Sequence, residues 1–107
     1  MALIIPITVT RGGVDITTLT PASGGGDTYN NGTAPDLEIL NGSGTPTTVY
    51  AALYVDEQII VQGRSWVIPA GKRYRILALP GNYSNPADGT VSLTYSSATS
   101  LSIGVYQ

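Results

Sequence analysis

The chain has 107 residues, enough for one domain with one core. Charged residues make up only 11% and the net charge is −2, so the basic face that nucleic acid or an anionic membrane requires is missing and neither is an expected partner. Without His or Cys there is no usual catalytic base, no thiol nucleophile, no disulfide and little to hold a transition metal.

The start, Met1-Ala2-Leu3-Ile4-Ile5-Pro6-Ile7, is apolar, but it lacks a positive flank and Pro6 interrupts it, so it does not read as a signal peptide. No segment approaches the ~18 apolar residues of a membrane-spanning helix. The expectation is a soluble protein that is not exported by the usual route. Leu3, Ile4 and Ile5 put hydrophobes on both faces of an extended run. Residues 1–6 therefore read as an N-terminal interface strand or arm that lies against a partner.

Residues 14–18 are the next strand signal, followed by the glycine-rich stretch 21–26, read as a surface loop or a flexible arm. Asp27, Asn31, Gly32 and Glu38 match positions of a calcium-loop template, but Tyr29 and Pro35 stand where ligands belong and no helices flank it. Asn31-Gly32 is read instead as a tight turn, Glu38 as a solvent-facing strand residue, and no metal site is assigned. Residues 37–40 lead into the turn Asn41-Gly42-Ser43-Gly44. The Asn-x-Ser/Thr triplets at Asn31, Asn41 and Asn82 fit turn-forming Asn better than glycosylation.

Alternation through residues 48–55 places Val49, Ala51, Leu53 and Val55 on one face and Tyr50 and Tyr54 on the other. After Trp66, the run Ile68-Pro69-Ala70-Gly71-Lys72 reads as a reverse turn with Pro69 second and Gly71 fourth. Lys72-Arg73-Tyr74-Arg75 is a solvated strand rim, and residues 80–89 form a long loop. Residues 90–95 and 101–106 each alternate cleanly and read as a hairpin through 97–100, with Ser102, Gly104 and Tyr106 outward. About seven short strands at regular spacing predict an all-β chain: one small antiparallel β-sandwich, Ig-like or jelly-roll-like, spanning residues 1–107.

The acids offer no constellation for chemistry. Asp15, Asp27, Asp36, Glu38, Asp56, Glu57 and Asp88 fall mostly at turns or strand ends, and the adjacent pair Asp56-Glu57 would face opposite ways in a strand. The reading is that the chain is not an enzyme and carries no cofactor. The candidate functional residues are those the pattern leaves without a core position, together with Trp66, which either a two-sheet core or an exposed binding surface would take. Leu3, Ile4, Ile5, Tyr50, Tyr54, Trp66 and Tyr106 are assigned to an assembly interface, since exposed Tyr and Trp bury large area at low entropic cost. The same aromatics suit a carbohydrate-binding or adhesin-type module.

The order of motifs resembles a known family. The opening residues 5–14, Asn30-Asn31-Gly32 before residues 37–42, the turn at residues 67–71, and Asp88-Gly89 leading into residues 90–96 with a closing apolar strand run through most of the chain. In this order the chain is similar to the head decoration or cement proteins encoded beside the major capsid protein in tailed bacteriophages. The segment 54–64 departs from the pattern, with Asp56-Glu57-Gln58 where a glycine-rich turn belongs. The resemblance implies a β-sandwich virion protein that binds the major capsid protein on the outer capsid surface after synthesis in the host cytoplasm, with a homotrimer the favoured state. It brings no catalytic residues. A neck or tail position on the virion is a related alternative.

Overall fold

Branched and aromatic residues alternating with Thr and Ser build the strands of the computed structural model, which describes residues 2–8, 10–12, 19–54 and 60–107. Nine strands are described: β1 (Ala2–Ile4), β2 (Thr20–Pro21), β3 (Asp27–Asn30), β4 (Asp36–Asn41), β5 (Thr47–Tyr54), β6 (Ile60–Ile68), β7 (Arg73–Ile76), β8 (Thr90–Tyr95) and β9 (Leu101–Tyr106). They form a five-stranded sheet, β1-β3-β8-β5-β6, packed on a four-stranded sheet, β2-β9-β4-β7. The strand pairings are antiparallel apart from β1 on β3. The fold is a small β-sandwich with more strands than the sequence periodicity counts, because β1 and β2 span only three and two residues. The strand expected at 14–18 lies outside the described residues, as do Asp15, Val55, Asp56 and Glu57.

The core follows the alternation. Val49 and Ala51 of β5 and Val91 and Leu93 of β8 are buried in one cluster with Leu37 and Ile39 of β4 and Leu101, Ile103 and Val105 of β9. Ile4, Tyr29, Ile68 and Leu79 complete it. Each fully buried Leu, Ile or Val contributes about 1.5–3 kcal/mol of transfer free energy. The chain switches sheets at successive turns: β4 to β5, β6 to β7 and β8 to β9. The expected hairpin of residues 90–95 with 101–106 therefore does not form. β8 pairs with β3 and β5, while β9 pairs with β2 and β4. Period-two alternation identifies the buried face of a strand but not the sheet it joins, and here the two apolar faces meet across the core.

Local chemistry sets the turns. Lys72 donates its backbone N–H to the Pro69 carbonyl at 3.1 Å, with Gly71 at φ 72°. Pro69 is thus the first residue of a type II turn and Gly71 the third, one position earlier than expected, because only the third position requires positive φ. The glycine-rich stretch is a closed turn, neither an arm nor a loose loop. Gly26 donates to the Ser23 carbonyl at 2.9 Å and packs directly on β8, where a Cβ on Gly26 would meet the Leu93 carbonyl oxygen at 2.6 Å. The N-terminal run also changes sheets: β1 lies on β3, whereas Ile7 bridges β9, donating to the Val105 carbonyl at 2.7 Å.

Candidate functional site

Two polar groups are built into the sandwich itself. Asn41, fully buried at the end of β4, donates through Nδ2 to the carbonyls of Thr45 and Ile68, each at 2.9 Å, and its Oδ1 accepts from the Ser43 backbone and hydroxyl. One amide thereby ties the four-stranded sheet to β6 of the other. Asp27, also fully buried, accepts through Oδ2 from the Tyr95 hydroxyl at 2.6 Å and from the Ser23 N–H at 3.0 Å. Burial, with this bond, pushes the Tyr95 hydroxyl well above the usual phenol range. Both groups are structural ties.

The outer face of the four-stranded sheet carries a charged cluster. Register sets Glu38 opposite Gly104 on one side and Arg75 on the other. Arg73 donates Nε–H to Glu38 Oε1, while Arg75 stands 3.6 Å from Asp36 and 3.8 Å from Glu38. The Arg75 guanidinium lies 4.9 Å from the centroid of the Tyr106 ring, and the Tyr106 hydroxyl hydrogen-bonds Glu38 and Arg73. Burial would raise the Glu38 pKa, but the bonds from Arg73 and Tyr106 and the two guanidinium charges outweigh it and hold the carboxyl below its ordinary range.

This cluster corrects two expectations. Glu38 does not face open solvent; it is buried in the ion-pair network. Tyr106 does point outward, as alternation requires, yet it is only 2% exposed. Gly104 leaves room for the ring to lie down along its own strand, and the Glu38–Arg73–Arg75 group closes over it. The calcium-loop residues are also separated, with Asp27 on one sheet and Glu38 on the other.

The remaining candidate residues lie at the two edges of the five-stranded sheet and on the outer face of its interior strand β5. At the β1 edge, Leu3 is 59% and Ile5 70% exposed, whereas Ile4 turns inward and belongs to the core, so it offers no surface to a partner. Tyr50 and Tyr54 are half-buried on the outer face of β5, the Tyr54 hydroxyl lying 3.4 Å from Ser92 Oγ. Trp66 lies at the far edge, half-buried against the core.

Trp66 lines a feature that sequence reading missed. β6 and β7 are edge strands, one of each sheet, and their inner faces part to leave a cleft of about 490 Å³. Val49, opposite Trp66, and Ile39, opposite Tyr74, are core residues, so both aromatics face the inside of the sandwich. Arg64, opposite buried Ala51, faces the same way at the mouth. Tyr83, from the 3₁₀ turn Gly81–Tyr83, closes one side by packing on Gly63, where a Cβ would come 2.8 Å from its ring. Leu77, 79% exposed, stands on the rim. The clue lay in residues 60–68 and 73–76, whose inward positions carry Arg64, Trp66 and Tyr74 in place of aliphatic core residues.

Among the described residues no group of three or more acids gathers as a metal site, and no helix is long and apolar enough to cross a membrane. Comparison with protein-family models, curated proteins and solved structures finds no match to the chain.

Proposed function

We propose that the protein is a structural subunit that docks on a larger protein shell and stabilises it. The shell to which its motif order points is the outer surface of a tailed-phage head, built from the major capsid protein, with the docked protein acting as a homotrimer. The observation carrying this reading is that, among the described residues, no strand pairs with either edge of the five-stranded sheet, and both edges are flanked by exposed apolar side chains: Leu3 and Ile5 at β1, Val67 on β6. An unpaired strand edge is a template for pairing with another chain, and native monomers ordinarily blunt it with charge. Here 11% charged residues leave little repulsion to overcome on docking. A protein that spans neighbouring shell subunits through several such weak contacts gains avidity without any single strong one.

The test is reconstitution. Purified protein added to expanded heads that lack their decoration should co-sediment with them and raise their disruption temperature. Heads that neither retain the protein nor change in stability would reject the reading. A second reading, a carbohydrate-binding module, draws on Trp66, Tyr74 and Tyr83 around the cleft. A glycan array decides it: a defined saccharide must bind, and binding must be lost in a folded Trp66→Ala variant.

A further inference from the structure

We infer that the cleft between β6 and β7 is a receptor for an extended acidic–apolar segment of a partner protein, which adds as a strand to the free edge of β6. Three features select this occupant. First, β6 is a nine-residue edge strand that, among the described residues, pairs only with β5, so apart from the Ile68 carbonyl, which accepts from Asn41, no described strand pairs with its outer edge. β7 across the cleft is also an edge, but it spans only four residues and carries Arg73 and Arg75, which protect it. Main-chain pairing to β6 is a contact that a peptide makes and a sugar does not.

Second, the cleft is apolar and aromatic where the incoming side chains would enter. A strand added to β6 directs every second side chain inward, between Trp66 and Tyr74 and toward Tyr83. Third, the charge at the mouth is one-sided. Arg64 is exposed there and makes no ion pair among the described residues. Arg75 also borders the cleft, but its guanidinium turns to Asp36, Glu38 and Tyr106. Among the described residues no carboxylate lines the cleft, so an incoming Asp or Glu meets Arg64 without competition from them.

Trp66 is the chain's one tryptophan and reports on the site directly. The probe is a synthetic nine-residue peptide of alternating Val and Thr with a central Asp, compared with otherwise identical peptides carrying Asn or Lys. The Asp peptide should shift Trp66 emission saturably. The Asn peptide, or Arg64→Gln protein with the Asp peptide, should bind roughly three- to tenfold more weakly, and the Lys peptide weaker still. Equal binding of the three peptides, no response to any, or a response to acidic oligosaccharides but not to peptides would overturn the inference. So would a Trp66 shift that follows protein concentration alone and is competed by the peptide, because the occupant would then be a second copy of this chain. The inference rests on the assembly reading only in taking a protein as partner. Peptide binding without head binding retains the cleft and removes the shell, and head binding unaffected by Arg64→Gln or by the Asp peptide does the reverse.

Discussion

Tyr106 lies across the backbone of Gly104, two residues earlier on the same strand. A Cβ at position 104 would stand 2.8 Å from the Tyr106 hydroxyl oxygen and 2.6 Å from Leu19 Cδ2. The absent side chain is therefore what lets an outward-pointing tyrosine become buried. Gly104→Ala should lift the ring off the strand, loosen its contacts with Glu38 and Arg73, and cost about 1–3 kcal/mol, as overpacking does. Gly44→Ala, where a Cβ meets nothing within 4 Å, is the matched control and should stay within about 0.5 kcal/mol of the parent. Urea unfolding of both measures the difference, and equal midpoints would mean that the ring can sit elsewhere at no cost.

Asn41 makes four hydrogen bonds through one buried amide, of which the one to the Ile68 carbonyl reaches the other sheet and the rest hold the turn to Thr45. Asn41→Ala leaves the buried carbonyl of Ile68 and that of Thr45 without this donor, at about 1–3 kcal/mol for a buried group left unpaired. Asn41→Asp should be worse at neutral pH, since it sets a carboxylate oxygen against two carbonyl oxygens. Ser43→Ala removes only a partner at the exposed end and should cost less than either. If Asn41→Asp matched the parent in thermal unfolding, the amide orientation described here would be wrong.

The sandwich was legible because its strands obey one rule: Val49 and Ala51, Val91 and Leu93, and Leu101, Ile103 and Val105 alternate with polar residues and all reach the core. Which sheet each strand joined was not legible, since residues 90–95 and 101–106 alternate identically whether they pair side by side or face each other. The interface residues fared unevenly for a related reason. Alternation gives the direction of Tyr106 correctly but cannot say that Glu38, Arg73 and Arg75 will cover it. That depends on cross-strand register between β4, β7 and β9. Ile4 was misplaced because three consecutive hydrophobes carry no phase, and only its opposition to Tyr29 on β3 fixes which of them turns inward. The cleft exists only where the edges of two sheets diverge, so the inward Arg64, Trp66 and Tyr74 hint at it while the sheet order that opens it lies outside any local pattern.

The glycines at turns separate backbone strain from crowding. Gly71 has φ 72° with open space around its Cβ position, so Gly71→Ala should cost only the left-handed penalty of about 1–2 kcal/mol. Gly26 has φ 96° and also faces the Leu93 carbonyl oxygen at 2.6 Å, a backbone atom that cannot swing away. Gly26→Ala should therefore cost roughly 3 kcal/mol or more and disturb the β3–β8 pairing. Amide hydrogen exchange checks the second point: protection at β8 should fall in Gly26→Ala and hold in Gly71→Ala.

Stability should be greatest between mildly acidic pH and about pH 10, with carboxylates acting at the acid limit and buried tyrosines at the alkaline one. On the acid side Glu38 has a folded pKa below its ordinary value of ~4.3, because the opposing effect of burial is outweighed by Arg73, Tyr106 and Arg75. The unfolded state then takes up the proton first, so this contribution is present above the ordinary value and is lost as pH falls through the folded one. Asp88, fully exposed and hydrogen-bonded by Thr90, shifts in the same direction. On the alkaline side burial raises Tyr29, and burial with the Asp27 bond raises Tyr95, above the ordinary phenol value of ~10. Here the folded state holds its protons longer, so stability is present below pH ~10 and falls as pH rises beyond it. Urea midpoints measured from pH 3 to pH 11 test both limits. Glu38→Gln should cost about 1–3 kcal/mol at pH 7, and its deficit should shrink toward pH 3, where the parent loses the same interaction. Tyr95→Phe should flatten the alkaline limb. An acid limb of the same slope in Glu38→Gln would show that the outer-face ion pairs do not govern acid unfolding.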